Sequence, residues 1–187
     1  GFKRGDAFFV PSCRLHGVGG GNLLLEIQPN SGTTFRVFDW NRRSQDGQPR
    51  ALQSEQALQS IEFDDFEPAL ICPAGETLVQ CPHFVVEKWN LESARRVSER
   101  PAFALFVCLS GAVKSGGLRF GPGEFFLVPA VAAETEFKPG APCTSLLRIT
   151  LPARQARQRR PRVPPYIDPS RACTARGLRC ALFLLRA

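Results

Sequence analysis

A short pattern that occurs twice indicates the fold class. It reads GDAFFVP at residues 5–11 and GEFFLVP at residues 123–129. Each copy joins a Gly and an acidic residue to four consecutive apolar or small residues and a Pro, an arrangement typical of a short β-strand between two turns. Two copies in one chain predict two related β units.

The rest of the chain continues this pattern, with short apolar or alternating runs separated by Gly and Pro. Such runs favour strands, because side chains along a strand alternate between its two faces. We therefore predict an all-β fold, an antiparallel sandwich or barrel. The predicted strands are residues 7–10, 23–27, 33–38, 84–89, 103–109, 125–128 and 144–149. The one predicted helix covers residues 54–61, with Leu58 and Ile61 on one side.

Length and composition exclude several classes of protein. A chain of 187 residues suits one domain or two small ones, and 43% apolar residues with 15 Phe exclude wholesale disorder. No apolar run approaches the roughly 20 residues that a membrane-spanning helix needs. Seven Cys without a C-x-x-C pair predict reduced thiols in the cytoplasm. Because the chain begins with Gly1 and contains no Met, we expect it to start within a longer protein.

The positive charge lies in the last part of the chain. Residues 153–187 carry nine Arg and a single acidic residue, Asp168, whereas residues 1–152 carry 15 basic and 16 acidic residues. Proteins that bind nucleic acid usually spread basic and aromatic side chains over a folded face. The Arg-rich and Pro-rich segment shows no hydrophobic period, so we interpret it as a disordered, solvated tail.

Two side chains are candidates for chemistry. His16 follows Pro11 by five residues, past the end of a strand and before a Gly-rich turn, where barrel folds place metal ligands. Taken alone, such a His is more often structural, and the other His, His83, has no comparable setting. In the predicted strand 33–38, alternation places Arg36 on one face with Phe38 and Trp40, either aimed into a cavity or packed along its stem with its head in water.

Three blocks of sequence resemble a known family. They are residues 5–21, GDAFFVPSCRLHGVGGG; residues 24–40, LLEIQPNSGTTFRVFDW; and residues 78–89, LVQCPHFVVEKW. In this order they are similar to the short bacterial form of the type I mannose-6-phosphate isomerases, which are cupins and usually read GDxFFxPxGTxHAIGGG, LLEIQxNSDTTYRVYDW and LVxCPYFxVEKW. The resemblance covers residues 1–152 and leaves out the tail.

The resemblance implies a zinc enzyme that interconverts mannose 6-phosphate and fructose 6-phosphate, an aldose–ketose isomerisation. It implies that His16 is the last protein ligand of the zinc and that Arg36 is the active-site Arg. The family's other ligands, a His and a Glu, belong to a part of its pattern that would precede Gly1. We therefore expect the isolated chain to be inactive. The implied partner is a sugar phosphate, with neither nucleic acid nor a membrane, and the oligomeric state is left open.

The resemblance also implies an organisation in two cupin units. We expect a truncated first cupin at residues 1–40, a connector with the short helix at 41–78, a second complete cupin-like unit at 79–152 and the tail at 153–187. In the second unit Glu134 takes the place of His16, so we expect this unit to bind no metal. Cys13 and Arg14 depart from the Gly and Thr of the family.

Two alternatives stay open. The chain could be a non-catalytic cupin module that binds sugars or serves as a structural partner. A weaker hypothesis is an Arg-rich binder of nucleic acid through the tail.

Overall fold

The computed structural model describes residues 3–30, 33–64, 69–97, 102–132, 134–152 and 181–186. The chain divides into two compact units, one formed by Gly1–Leu70 with Arg159–Ala187 and the other by Ile71–Gln158. Apart from one short helix, every regular element of the described part is a β-strand, and all strand pairs are antiparallel. The prediction of an antiparallel all-β fold is confirmed.

The first unit begins with β1 (Ala7–Val10) and β2 (Leu23–Ile27), both predicted with these bounds, and continues to helix α1 (Ser54–Ser60). The helix begins after Gln53 and ends where the Ile61 N–H donates to the Ala57 carbonyl at 2.9 Å. Its buried residues are Ala57 and Ser60, whereas Leu58 is 57% exposed. The helix was therefore predicted correctly and its inner face was not.

The predicted strand at residues 33–38 is wrong. Its backbone hydrogen-bonds with the residue before α1 instead of with a strand: the Gln53 N–H donates to the Arg36 carbonyl at 2.8 Å, and the Arg36 N–H donates to Gln53 Oε1 at 3.1 Å. Farther on, Trp40 and Asn41 have φ of 53° and 55°, in the left-handed region, so the chain turns there. An apolar pattern makes a strand only where a second strand lies beside it.

The second unit contains the other strands of residues 71–158. They are β3 (Thr77–Gln80), β4 (Val85–Leu91), β5 (Arg95–Val97), β6 (Ala104–Ser110), β7 (Val113–Ser115), β8 (Leu118–Phe120), β9 (Phe125–Val128), β10 (Thr135–Pro139) and β11 (Thr144–Thr150). One sheet has the order β3-β4-β11-β6-β9 and the other the order β5-β10-β7-β8. The four strands predicted in this unit correspond to β4, β6, β9 and β11, with ends that differ by two residues at most.

Buried side chains from both sheets form one core in the second unit. Phe106 of β6 and Phe137 of β10 are fully buried, with ring centroids 4.7 Å apart. Trp89 of β4 lies 5.6 Å from Phe106, and the Arg95 guanidinium stacks on the indole with its Cζ 3.6 Å from the ring centroid. Because the two sheets share this core, the unit is a β-sandwich.

The last strand, β12 (Ala181–Arg186), lies between β1 and β2 in a three-stranded sheet. It pairs antiparallel with both, with Phe183 opposite Phe8 and Leu184 opposite Leu25. Residues 181–186 belong to the segment that we predicted to be a disordered tail, so the structure differs there, because this apolar stretch hydrogen-bonds to two strands. Residues 153–180 lie outside the described residues, and the predicted boundaries at 40, 78 and 152 stay predictions.

Candidate functional site

The loop after β1 is fixed by one long-range and one local hydrogen bond. The Glu62 N–H donates to the Cys13 carbonyl at 3.0 Å, and Arg14 Nη1 donates to the Phe9 carbonyl at 3.4 Å. Cys13 has a φ of 71°, in the left-handed region that glycine adopts without strain. The family pattern quoted above has Gly at this position. In this chain Cys13, a residue less suited to that φ, forms the turn.

His16 lies in this loop and is exposed. Its Nδ1 lies 2.9 Å from the Arg14 carbonyl. A carbonyl oxygen can only accept a hydrogen bond, so Nδ1 is the donor in this contact. Histidines that bind metals through Nε2 usually donate their other N–H to a carbonyl or carboxylate in this way. The contact is of this kind, and the metal-ligand role of His16 stays a prediction.

The Gly-rich turn after His16 leads into β2. The Asn22 side-chain amide donates to the Gly19 carbonyl at 3.2 Å, and Gly21 has a φ of 79°. Only glycine adopts that φ readily, which explains the Gly at position 21, directly before Asn22 and β2.

Arg36, the second predicted site residue, is half-buried. Its backbone is fixed to Gln53 on both its N–H and its carbonyl. Within the described residues no hydrogen bond or ion pair engages its guanidinium, which leaves that group able to bind an anion. His16 and Arg36 are thus held by different anchors, and a pocket shared by their side chains stays a prediction.

The argument that placed Arg36 on one face with Phe38 and Trp40 fails, because residues 33–38 are not a strand. Phe38 and Trp40 are 57% and 59% exposed, and their ring centroids lie 5.3 Å apart in an edge-to-face contact. Arg36 is the less exposed of the three. The two aromatic rings therefore belong to the surface of the first unit and do not flank a buried Arg.

The described residues do not form a complete zinc site. A catalytic zinc needs about three protein ligands and an open position. Within the described ranges no three His, Cys, Asp or Glu side chains are grouped so that they could hold a metal ion. A zinc site that includes His16 therefore stays a prediction for this part of the chain.

In the second unit, the position equivalent to His16 is Glu134, which is exposed beside a chain of ion pairs. Glu136 lies 2.6 Å from Lys138 Nζ and 3.0 Å from Arg96 Nε. Hydrogen bonds from Lys138, and then from Arg96, lower the pKa of Glu136. The bond to Glu136 is also the main reason that the pKa of Arg96 is raised, with a smaller effect from Glu134. These carboxylates stabilise neighbouring cations on the surface. That this unit binds no metal stays a prediction.

The sequence did not point to the residues that hold the candidate site residues in place. Gln53 fixes Arg36, and Glu62 fixes the loop that carries His16. Both lie far along the chain from their targets and belong to no motif. Only an interpretation of the 41–78 segment as a support for the first unit could have found them.

The chain is similar in sequence to known proteins. No family model matches the chain. The mannose-6-phosphate isomerase ManA of Bacillus subtilis is 31% identical over 75% of this chain and 48% of its own length. A mannose-6-phosphate isomerase of Streptococcus mutans is 36% identical over 58% of this chain and 36% of its own length. The chain thus spans about half or less of the length of these curated relatives.

A solved structure shows the same fold. The crystal structure of mannose 6-phosphate isomerase from Bacillus subtilis aligns with a TM-score of 0.51 at 22% identity, covering 65% of this chain and 41% of that one. At that identity the likeness is evidence for the fold alone. No helix of the described residues is long and apolar enough to cross a membrane.

The antiparallel strands and the two-sheet core define a cupin-type protein, and the predicted fold class is confirmed. Within that class, the chain is homologous over part of its length to proteins named mannose-6-phosphate isomerase, at 31–36% identity.

Proposed function

We propose that this chain is part of an enzyme that interconverts mannose 6-phosphate and fructose 6-phosphate. The observation that carries the proposal is the 31–36% identity to relatives that bear the name of this activity. The substrate would be a small sugar phosphate, with neither nucleic acid nor a membrane as partner. We place the protein in the cytoplasm on the basis of its Cys pattern.

The isomerisation moves a proton between C2 and C1 of the open-chain sugar through an enediol, while the carbonyl passes from C1 to C2. Negative charge develops on the two oxygens as the proton leaves carbon. We propose that the Arg36 guanidinium stabilises that charge, since it stays protonated and offers several N–H donors. The backbone bonds of Arg36 to Gln53 support this role, because a stabilising charge must be held in position before the reaction.

We propose that His16 is one protein ligand of the zinc that the family resemblance implies. The contact of Nδ1 with the Arg14 carbonyl supports this role, since histidines that bind metals usually donate their other ring N–H to a carbonyl or carboxylate. Zinc in such a site acts as a Lewis acid on sugar oxygens. The remaining ligands must come from outside the described residues, and we derive no step of the reaction through the metal.

A chimera tests the proposal. The whole chain, with β12, replaces the matching part of Bacillus subtilis ManA, and isomerase turnover and bound zinc are measured. We expect an active chimera that loses zinc and most of its activity on His16→Ala, while His83→Ala, the matched control, changes neither. Arg36→Ala should lower kcat by about 100-fold to 1,000-fold, the usual cost of removing a donor to a developing oxyanion, with little change in zinc content.

Lack of complete metal ligands among the described residues favours a second candidate, a cupin module that binds sugars without catalysis or serves as a structural partner. A chimera that binds mannose 6-phosphate in equilibrium dialysis but shows no turnover, beside active ManA, would favour this alternative over the isomerase.

A further inference from the structure

The second unit contains a small cavity near the end of β9. The cavity has a volume of about 180 Å³, and two of the side chains that line it, Leu118 and Leu127, are 63% and 53% exposed, so it is open to solvent. Strand β9 of the five-stranded sheet and strands β7, β8 and β10 of the four-stranded sheet supply its walls. The cavity therefore lies between the two sheets of the sandwich.

Part of the cavity wall belongs to the repeated sequence pattern. Four lining residues, at positions 126–129, come from the second copy, GEFFLVP. The same places in the first copy are residues 8–11, which lead into the loop that carries His16. By this correspondence in sequence, the cavity is the counterpart in the second unit of the candidate site in the first.

The lining residues carry no charge. Two of them, Ser115 and Thr135, have hydroxyl groups, and each lies two residues from a fully buried one, Val113 or Phe137, so alternation places both on the inner face of their sheet. Across the described ranges, no hydrogen bond engages either hydroxyl. The other lining residues are apolar: Leu118, Phe120, Phe126, Leu127, Val128 and Pro129. Two hydroxyls beside apolar walls are thus available to a ligand.

Stacked aromatic rings form one wall. The ring centroids of Phe120 and Phe126 lie 4.1 Å apart with their planes at 20°, and Phe126 also stacks on the fully buried Phe106 at 5.3 Å. Because packing fixes this wall, a ligand need not order it on binding.

The size of the cavity limits its ligand. Its volume of about 180 Å³ is below the roughly 300–1,000 Å³ of sites for drug-sized molecules. An apolar cavity of about 150 Å³ can bind benzene. The cavity therefore has room for a single six-membered ring.

We propose that this cavity binds a small uncharged aromatic alcohol, a compound of the phenol class. The ring packs against Phe120 and Phe126, and its hydroxyl hydrogen-bonds with Ser115 or Thr135. A sugar phosphate does not suit these walls, because no lining side chain is cationic and two hydroxyls are too few to replace the water bound to a sugar. The inference concerns the second unit and does not rest on the proposed function.

Methyl NMR spectroscopy tests the location. The whole chain is labelled with ¹³C at the methyl groups of Leu and Val, and phenol is titrated in. We expect the methyl resonances of Leu118, Leu127 and Val128 to shift until they saturate. The resonances of Leu23, an exposed residue of the first unit, should stay in place. Single substitutions by Ile at these positions assign the resonances.

Toluene isolates the hydrogen bond, since it has the shape of phenol with a methyl group in place of the hydroxyl. The double variant Ser115→Ala/Thr135→Val should lower the affinity for phenol about threefold to tenfold, the cost of one hydrogen bond, and change that for toluene less than about twofold. Ser93→Ala removes an exposed hydroxyl of the second unit outside the cavity and should change neither affinity.

A variant that fills the cavity tests its volume. Ser115→Leu adds a larger apolar side chain on the inner face and should weaken the binding of both phenol and toluene about tenfold or more, because close-packed walls leave no room for the ring. The resonances of Leu23 and of the other Leu and Val residues show whether this variant is folded. If it is not, the double variant decides.

Several results would overturn the inference. These are the lack of a saturable shift with phenol, shifts of equal size at Leu23, or cavity shifts caused by mannose or mannose 6-phosphate and not by phenol. Equal losses of phenol and toluene binding in the double variant would overturn the choice of an alcohol. An inactive ManA chimera beside a chain that binds phenol would count against the proposed function alone.

Discussion

The two copies of the repeated pattern form the same turn. Asp6 N–H donates to the Lys3 carbonyl at 3.0 Å, and Glu124 N–H donates to the Gly121 carbonyl at 3.1 Å. The acidic side chains complete the turn, since Asp6 accepts a bond from the Lys3 N–H at 2.7 Å and Glu124 accepts one from the Gly121 N–H. Both strands also end on a buried valine. The local pattern therefore specifies the local structure in both units.

The surroundings of the two strands differ. Phe126 of β9 stacks on Phe120 and Phe106, with ring centroids 4.1 and 5.3 Å away. Phe8, at the same place in β1, packs with Val10 and Leu24 in a far smaller cluster. The comparison teaches that a seven-residue pattern encodes a turn and a strand, whereas the core around it depends on strands that other parts of the chain supply.

The largest expected effect comes from this pair of phenylalanines. Phe126→Ala should destabilise the second unit by about 3 kcal/mol, because it removes a ring packed on a buried aromatic cluster. Phe8→Ala should cost the first unit less, about 1 kcal/mol, since the described side chains that it packs with are the aliphatic Val10 and Leu24. The chain is labelled with 5-fluorotryptophan and unfolded in urea. The ¹⁹F resonance of Trp89 then reports on the second unit and that of Trp40 on the first. Equal costs would contradict the difference between the two cores.

Substitution of the turn glycines tests whether the two copies of the repeated pattern need the same turn. Gly5 and Gly123 have φ of 90° and 88°, the value that the third residue of a type II turn requires. Gly5→Ala and Gly123→Ala should each cost about 1–2 kcal/mol, because a Cβ is strained at that φ. Gly19→Ala, in the Gly-rich turn but without a positive φ, serves as control and should cost less. The same unfolding assay checks this. A neutral result at Gly5 alone would mean that only the second copy needs its turn.

Cys13 offers a change in the opposite direction. Replacing it by Gly removes the strain of a φ of 71° but increases the freedom of the unfolded chain. We expect Cys13→Gly to stabilise the first unit by about 0.5–1 kcal/mol, the difference between those two effects. Thermal unfolding with Cys13→Ala as control checks the sign. If Cys13→Gly and Cys13→Ala stabilise the first unit equally, loss of the thiol and not relief of backbone strain is responsible for the gain in stability.

The smallest effect concerns an ion pair of the second unit. Hydrogen bonds from Arg95 hold the pKa of Glu76 below its ordinary value of 4.5. A lowered pKa in the folded state contributes stability above the ordinary pKa, and this stability is lost as the pH falls through the lowered value. Because both side chains are partly exposed, Glu76→Gln should cost less than about 1 kcal/mol at pH 7.

The difference in the free energy of unfolding between the Glu76→Gln variant and the unchanged chain should disappear toward pH 3. Urea unfolding at pH 7 and at pH 3 measures this difference. Glu26→Gln, an exposed carboxylate of β2, is the control and should behave like the unchanged chain at both. A cost for Glu76→Gln that persists at low pH would assign the effect to packing around Trp89 and not to charge.

Sequence reasoning succeeded where local residues determine structure. Strand β9 was predicted with its observed bounds, because GPG precedes it and Pro129 follows it. Strands β5, β7 and β8 were missed, since three residues are too few to show an alternating period. Residues 33–38 were assigned to a strand because their pattern gives no information about a neighbouring strand.

In the candidate site, too, some features could be predicted from local sequence and others could not. His16 and Arg36 could be named from motifs, because the resemblance supplied both positions. The contact between His16 Nδ1 and the Arg14 carbonyl could not be predicted, nor could the two bonds that fix Arg36. These contacts depend on where Arg14 and Gln53 come to lie. A motif identifies a reactive group, whereas its orientation comes from residues that are distant in sequence or carry no signal.

The place of β12 has a consequence for the order in which the protein forms during synthesis. Strands β1 and β2 leave the ribosome before the strands of residues 71–158, but the strand that lies between them follows those strands. All strands of the sandwich formed by residues 71–158 have emerged by then, so this later part of the chain can complete its sheets first. Strands β1 and β2 must wait as unpaired edges until β12 has been translated, which makes them the segment most dependent on chaperones.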